Sequence, residues 1–127
     1  MLIAMDRATL QKWISDYESL WRTPGTDRLG ELFADDARYL TSPWAQPIVG
    51  LADLAKLWNR ERESADEEFT MTAEVVAVDG DVGVVRVEVE YGNGDRWRDL
   101  WIVEFDPAGR CAHFEEWPIA PPKRTGA

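Results

Sequence analysis

The chain has 127 residues, of which 45% are hydrophobic and 11% aromatic, and its formal net charge is −10. These values are typical of one folded domain and exclude a disordered chain. The acidic balance repels phosphate groups, so neither nucleic acid nor an anionic membrane is an expected partner. No segment has the pattern of a membrane span or a secretory leader, and the single cysteine, Cys111, cannot form an internal disulfide. Together these features predict a reduced, cytoplasmic protein.

The first half of the chain has the periodicity of helices separated by a short strand. Apolar residues recur at helical spacing in three segments, over about 6–22, 27–34 and 51–64. Asp6 is a suitable N-terminal cap for the first helix, and Pro24-Gly25 follows its end. A brief strand is expected over 37–41, before a loop that carries Trp44. The charged run 59–63, near the end of the third helix, is interpreted as its solvent-facing side.

From Phe69 onward the pattern changes to the alternation of apolar and polar residues that is typical of strands. Four strands are expected, near 69–78, 82–91, 96–105 and 110–117. Glycine, aspartate and asparagine between them indicate the tight turns of hairpins. Helices followed by such a meander predict one α+β domain over 1–127, with three N-terminal helices packed on a curved, mostly antiparallel sheet. Residues 121–127 are expected to form a flexible tail.

Asp99 is the most informative residue of the chain. It lies in phase with four apolar residues of the same predicted strand, which are Trp97, Trp101, Val103 and Phe105. A carboxylate on an apolar, aromatic face is unfavourable unless it is paired, hydrogen-bonded or protonated. Such surroundings are typical of the acids and bases of binding pockets. The alternative is a structural aspartate that bonds to a backbone N–H or to an arginine.

Several segments resemble the nuclear transport factor 2-like superfamily, closest to its ketosteroid isomerase-like and polyketide cyclase-like (SnoaL-like) branches. The segments are Tyr17 on the first helix, the run Leu-Phe-Ala-Asp-Asp-Ala over 32–37, Val49-Gly50 before the third helix, and Phe105-Asp106 in the last hairpin. The resemblance covers nearly the whole chain. It implies a cone-shaped α+β barrel, in which a strongly curved sheet wraps around three helices and leaves a deep apolar cavity open at one end.

The resemblance also implies where catalytic groups lie. Isomerases of this kind use a tyrosine on the first helix, which Tyr17 matches. Their proton-shuttling aspartate falls on Thr41 or Ser42, neither of which is a base at neutral pH. Their late-strand carboxylate falls on Trp101, and Asp99 lies two residues earlier on the same face. Steroid isomerisation is therefore not expected.

Two other branches are also matched incompletely. The epoxide-hydrolase branch uses an Arg-x-Asp arrangement, but Arg96 and Arg98 stand at the wrong offsets to share the face of Asp99. The dehydratase branch uses two histidines, whereas this chain has only His113. These departures weaken the named reactions and leave the expectation of a cavity intact.

The register of the last hairpin decides which side chains accompany Asp99. A four-residue loop over 106–109 places Phe114 and Glu116 on its face, with Glu116 directly opposite. A three-residue turn, which the proline and glycine of this loop favour, brings in the other face of the last strand, with His113, Glu115 and Trp117. A β-bulge further along can restore the first arrangement. The resemblance favours Phe114 and Glu116 inside.

The preceding hairpin has the same ambiguity. A two-residue turn at Asn93-Gly94 sets Arg86 and Glu88 on the face of Asp99, whereas a three-residue loop aligns an apolar face with it, with Val89 opposite Asp99. Matching apolar faces is the stronger constraint in a buried sheet, so we expect the second arrangement. The remaining charged residues of these strands then form an outer lattice.

The candidate catalytic residues are Tyr17, Asp99 and Glu116. Two neighbouring carboxylates do not both ionise easily, so one can act as acid and the other as base, while Tyr17 donates to a developing oxyanion. This set predicts isomerisation, cyclisation or dehydration of a small apolar molecule that carries a carbonyl, without a metal or cofactor. The alternative is a binding or interaction module without catalysis. The candidate ligand-binding residues are aromatic and comprise Tyr39, Trp44, Trp97, Trp101 and Phe114.

A homodimer is also expected, formed through the outer face of the sheet. Leu100 and Ile102 project onto that face beside Arg98 and Glu104. Apolar side chains among charged ones on an exposed sheet are typical of an interface.

Overall fold

The computed structural model describes residues 5–62 and 68–122. Three helices lie in the first half of the chain, α1 Arg7–Arg22, α2 Leu29–Leu32 and α3 Leu51–Glu61. The strands are β1 Phe33–Leu40, β2 Ile48–Val49, β3 Phe69–Asp79, β4 Val82–Tyr91, β5 Arg96–Phe105 and β6 Cys111–Ile119. They form one six-stranded sheet in the order β2-β1-β6-β5-β4-β3.

The predicted α+β architecture is confirmed. Within the described residues every strand pair is antiparallel except β1 with β6, which is parallel. The helices cover the concave face of the sheet, as in a cone. The described sheet is open, with β2 and β3 as its edges, so the expected barrel does not close. Of the expected flexible tail, residues 121 and 122 are described, and 123–127 lie outside the described residues.

Helix α1 forms as the sequence predicts. Its first turn is capped by Asp6, whose Oδ1 accepts a hydrogen bond from the Thr9 N–H at 2.8 Å. Its apolar face is buried against the sheet through Leu10, Trp13, Ile14, Tyr17 and Leu20. Trp13 also donates its indole N–H to the Leu32 carbonyl at 3.0 Å. These contacts hold α1 across the concave face, where Tyr17 meets the strands.

The segment after α1 departs from the prediction. The helix expected over 27–34 spans only four residues, because Phe33 enters β1 and pairs with Cys111 of β6. This long-range pairing outweighs the local helical periodicity. Strand β1 therefore replaces the shorter strand expected over 37–41. The short strand β2 was not predicted, and it pairs with β1 through Ile48 and Tyr39.

Helix α3 begins where it was expected and ends earlier. Gly50 precedes it with a φ of +90°, a conformation that favours glycine, and its N–H donates to the Ala37 carbonyl at 2.9 Å. Leu54, Leu57 and Trp58 are buried, as predicted. The helix ends at Glu61 rather than at residue 64, which lies outside the described residues.

The hairpin of β4 and β5 has the three-residue loop that apolar matching predicts. The Tyr91 N–H donates to the Asp95 carbonyl at 2.8 Å, which closes the loop over 92–94. The apolar face of β4 accordingly shares the face of Asp99. The expected partner was wrong by two residues, since this closure sets Val87, and not Val89, opposite Asp99.

The last hairpin combines the two predicted registers. Its turn is the three-residue form, closed by the Asp106 N–H donating to the Arg110 carbonyl at 2.8 Å. A register shift between Glu104 and Phe105 then changes the facing side of β6. Phe114 and Glu116 consequently share the face of Asp99, as expected. The predicted direct pairing of Glu116 with Asp99 was wrong, because Glu116 lies opposite Trp101 and Pro118 lies opposite Asp99.

The outer face of the sheet carries the predicted lattice of charges. Arg98 pairs with Glu88 at 3.1 Å and Arg86 with Glu74 at 3.6 Å, and all four side chains are largely exposed. Such exposed pairs contribute little to stability. The described helices include none with the length and apolar character required to cross a membrane.

Candidate functional site

A cavity of about 290 Å³ lies between the concave face of the sheet and helices α1 and α3. Its lining residues come from helices α1 and α3 and from strands β1, β3, β4, β5 and β6, or lie directly after one of these strands. The described residues that line it are Tyr17, Trp21, Tyr39, Thr41, Leu57, Trp58, Glu61, Phe69, Met71, Val89, Tyr91, Trp97, Asp99, Trp101, Glu116 and Pro118. Aromatic walls with a few polar groups are typical of a small-molecule site.

Asp99 is buried in this cavity, with 7% of its surface exposed. Its Oδ1 atom has no hydrogen-bond partner among the described residues, and none of their cationic side chains forms an ion pair with it. Burial raises the pKa of Asp99, and hydrogen bonding by the Glu116 and Trp101 side chains and by the Ile119 backbone partly offsets that rise. The structural alternative is thus met in part, because a backbone group supports the carboxyl, whereas Oδ1 has no partner among the described residues.

Glu116 lies beside Asp99 on the neighbouring strand. Its pKa is raised well above the ordinary value, first by burial, then by the Asp99 carboxylate, and less by Glu61. The rise is larger than that of Asp99, so Glu116 holds its proton the more tightly of the two carboxyl groups. We call these two residues the dyad. Because they interact closely, they titrate as a pair.

Tyr17 and Tyr39 place two hydroxyl groups on the wall of the cavity. The two oxygen atoms lie 3.2 Å apart, and either hydroxyl can be the donor. Burial raises the pKa of Tyr17 and of Tyr39 well above the ordinary value, so both stay protonated. Whichever hydroxyl accepts, its own proton points elsewhere and is available to a ligand.

Two indole groups add further donors. The Nε1 atoms of Trp58 and Trp101 are buried and have no hydrogen-bond partner among the described residues. Both residues line the cavity. A buried N–H without an acceptor is unfavourable by about 1–3 kcal/mol, so a ligand that supplies an acceptor oxygen gains from these positions.

Two of the predicted ligand-binding residues lie elsewhere. Trp44 is 97% exposed and does not line the cavity, because the loop before β2 carries it away from the concave face. Phe114 is fully buried beneath the cavity, where its ring packs on Tyr39 at 4.7 Å and on Trp101 at 5.1 Å between centroids. Phe114 supports the wall from behind. Tyr39, Trp97 and Trp101 line the cavity, and their role in ligand binding stays a prediction.

Sequence reasoning missed several lining residues, including Glu61 and Trp58. Glu61 was assigned to a solvated run and is indeed exposed, but it also lines the cavity. It stands seven residues after Leu54 and four after Leu57, in helical phase with the buried face. That phase was the available signal. Arg62 was assigned to the same run and is in fact buried. Trp21, Phe69 and Tyr91 complete the missed aromatic set.

Residues 5–62 and 68–122 contain no group of three or more His, Cys, Asp or Glu side chains arranged to hold a metal ion. His113 lies opposite Glu104, on the outer side of β6 from the cavity.

Residues 14–114 match the SnoaL-like domain family. A comparison with curated protein sequences finds no match. Several solved structures are similar in fold. Their sequence identities to this chain are below 20%, so the similarity concerns the fold alone.

Three solved structures illustrate that similarity. A ketosteroid isomerase candidate from Kribbella flavida DSM 17836 is 17% identical, with a TM-score of 0.69 over 94% of this chain and 84% of that chain. The epoxide hydrolase/cyclase-like enzyme SalBIII, which has a role in pyran ring formation in the polyether salinomycin, is 16% identical. Its TM-score is 0.71 over 90% of this chain and 93% of that chain. An NTF-2 like protein of unknown function from Burkholderia xenovorans LB400 is 17% identical, with a TM-score of 0.70 over 94% and 89%.

Proposed function

The chain belongs to the SnoaL-like family, and from that premise we propose that it binds a small apolar molecule with a carbonyl group and transfers a proton on it. The observation that carries this proposal is the dyad. Asp99 and Glu116 share one wall of an aromatic cavity, and the pKa of Glu116 is raised the more. Two carboxyl groups with separated pKa values are suited to act as base and acid in one site.

In this proposal Asp99 removes a proton from the carbon next to the carbonyl, and Glu116 supplies a proton elsewhere on the molecule. The free O–H of the Tyr17–Tyr39 pair donates to the carbonyl oxygen as negative charge develops there. Positioned acid and base groups of this kind accelerate reactions by about 10²–10⁴-fold. Isomerisation, cyclisation and dehydration all use such steps.

The position of the base distinguishes this chain from the isomerases it resembles. Thr41, one of the two positions onto which the resemblance places the shuttling aspartate, lines the cavity, and a threonine hydroxyl is not a base at neutral pH. The carboxylate is supplied instead from β5, by Asp99. A different carbon of the bound molecule would therefore face the base, which argues for a substrate other than a steroid.

Deuterium exchange tests the proposed chemistry. The apolar ketone 1-tetralone is incubated with the protein in D₂O, and loss of its C2 protons is followed by NMR. We expect exchange above the protein-free blank, with Asp99→Asn returning it to the blank. Glu104→Gln, on the outward side of the same strand, is the matched control and keeps the wild-type rate. Exchange that persists in Asp99→Asn contradicts the proposal.

The second candidate function is ligand binding without catalysis, which the aromatic lining favours. It predicts that 1-tetralone binds, as measured by calorimetry, without any exchange above the blank. The same two measurements therefore separate the two functions.

We also propose that the protein is a cytoplasmic homodimer that uses the outer sheet face. Leu100 and Ile102 lie there, half-buried in the single chain, between the exposed Arg98 and Glu104. Light scattering at micromolar concentration is expected to give twice the chain mass of 14.5 kDa. A Leu100→Lys variant is expected to be monomeric, and a wild-type monomer contradicts the proposal.

A further inference from the structure

We propose that the molecule bound in the cavity carries a cationic nitrogen, as a protonated amine or a quaternary ammonium group. This inference rests on the proposed use of the cavity as a binding site, and it holds whether or not proton transfer follows. It deepens the proposed function by naming the charge of the substrate. Three independent features of the cavity carry it.

The first feature is an uncompensated negative charge. The described lining holds three carboxyl groups, Asp99, Glu116 and Glu61, and includes no lysine, arginine or histidine. The lining therefore offers carboxyl groups and no cationic partner for them. Asp99 is the most demanding of the three, because it is buried and its Oδ1 has no partner among the described residues. A buried anion without a counterion is unfavourable, and a bound cation supplies one.

The nearest arginines at the rim do not fill this role. Arg60 lies 3.8 Å from Glu61 and is largely exposed. Arg22 is bound by Glu18 at 2.9 Å and donates to the Phe69 carbonyl at 2.9 Å. Neither residue lines the cavity. Glu61 is thus partly paired on its outer side, whereas Asp99 has no cationic partner among the described residues.

The second feature is the aromatic wall. Eight of the sixteen described lining residues are tyrosine, tryptophan or phenylalanine. Aromatic faces attract cations through their quadrupole, and more strongly when the contact is desolvated. Phe69 illustrates the preference, because the guanidinium of Arg22 lies 3.8 Å from its ring centroid. Rings combined with carboxylates form the usual cage for an ammonium group.

The third feature is the charge of the whole chain. A net charge of −10 attracts cations towards an acidic cleft and repels anionic ligands. When the cationic nitrogen and the carbonyl are attached to the same carbon, the nitrogen also makes the C–H of that carbon more acidic. The charge that the cavity binds would therefore also assist removal of a proton by Asp99.

An isosteric pair of probes tests the inference directly. The cation is (4-hydroxymethylphenyl)trimethylammonium, and the neutral probe is 4-tert-butylbenzyl alcohol, in which carbon replaces nitrogen. Both are titrated into the wild-type protein by calorimetry at pH 7 and low salt. We expect the cation to bind at least tenfold more tightly. Equal affinities, tighter binding of the neutral probe, or no binding of the cation at millimolar concentration each overturn the inference.

Two variants locate the effect. Asp99→Asn is expected to reduce the preference for the cation at least fivefold, because it removes the buried charge while keeping the shape. Glu104→Gln removes the same charge from the outer face of the same strand and is expected to retain the preference. A preference that survives Asp99→Asn unchanged overturns the inference, and thermal unfolding of both variants confirms that they are folded.

The outcome is separable from that of the proposed function. A wild-type protein that prefers the cation but exchanges no protons of 1-tetralone contradicts the proton transfer and leaves this inference standing. A protein that exchanges those protons and binds both probes equally contradicts this inference alone.

Discussion

Arg62 and Asp99 are the two charged side chains buried among the described residues, with exposed fractions of 9% and 7%, and their surroundings differ completely. Arg62 follows α3, and its guanidinium donates to the carbonyls of the chain at and after the end of α1. The shortest of these bonds are 2.7 Å to Thr23 and 2.9 Å to Gly25. Asp99 instead keeps one oxygen without any described partner.

The difference separates structural from functional burial. Arg62 satisfies carbonyls that the end of α1 leaves without helical partners, so its charge is used by the fold. Asp99 faces a cavity and is satisfied only in part, so its charge is available to a ligand. A protein retains an unsatisfied buried charge at a cost in stability, and perturbed carboxylates of this kind cluster at functional sites.

The largest expected effect is on folding. Replacing Arg62 with methionine keeps the apolar stem and removes every guanidinium bond, which leaves several carbonyls of the α1 end unpaired. We expect the free energy of unfolding, measured in urea, to fall by about 2–4 kcal/mol. Affinity for the cationic probe per folded molecule should stay unchanged. The exposed neighbour Arg60→Met is the control, and an equal loss there would contradict the role given to Arg62.

The next effect is on binding. Asp99→Asn is expected to abolish proton exchange and to weaken binding of the cationic probe by about 1–3 kcal/mol, the usual loss for an altered charged hydrogen bond. The free energy of unfolding should change by less than about 1 kcal/mol, because the substitution removes an unfavourable buried charge. A lower melting temperature with unchanged affinity would instead make Asp99 a structural residue like Arg62.

A smaller effect concerns pH. The folded-state pKa of Glu116 is raised above its ordinary value of 4.5, so the folded protein holds this proton more tightly than the unfolded chain. Its contribution to stability is therefore complete below pH 4.5 and is lost as the pH rises through the raised folded pKa, by at most about 1.4 kcal/mol per pH unit. Asp99, whose pKa is also raised, acts in the same direction.

Glu116→Gln should remove the Glu116 part of this dependence of stability on pH. Urea unfolding at several pH values is expected to show the variant gaining stability relative to the wild-type protein as the pH rises above about 4.5. The exposed Glu104→Gln is the control and should track the wild-type protein. A stability difference that stays constant with pH would show that the Glu116 carboxyl is not perturbed.

The smallest effect is expected at Trp44. This side chain is almost fully exposed and lies outside the cavity, so Trp44→Ala should change the free energy of unfolding by less than about 0.5 kcal/mol. Affinity for the cationic probe should also be unchanged. A weaker affinity in this variant would return Trp44 to the binding site.

The sequence predicts the parts of this account that depend on periodicity. The α1 face, the strands from Phe69 onward and the inward position of Asp99 all follow from helical or alternating spacing. Arg62 was assigned to solvent with the rest of its charged run but is buried, because the end of α1 lies beside it. Glu61 is exposed as that run predicted, and it also lines the cavity. The helical phase of Glu61 indicates that it can reach the cavity. No local pattern indicates that Arg62 donates hydrogen bonds to carbonyls at the end of α1, which is distant in sequence.

The strand partners were predictable only in part, for a physical reason. Alternation leaves two registers open for the last hairpin, and Glu116 was expected on the face of Asp99 because of the family resemblance. The exact partner depends on turn length and on the register shift near Glu104, which long-range pairing decides. The same holds for Phe33, which joined β1 through its pairing with β6.

The most direct measurement of the central claim is a carboxyl ¹³C NMR titration of the ligand-free protein, with Asp99 and Glu116 assigned by Asp99→Asn and Glu116→Gln. The account predicts that the two carboxyl groups titrate as a coupled pair, both above their ordinary pKa values, with Glu116 losing its proton last. Ordinary pKa values for both groups, or independent titrations, would contradict it.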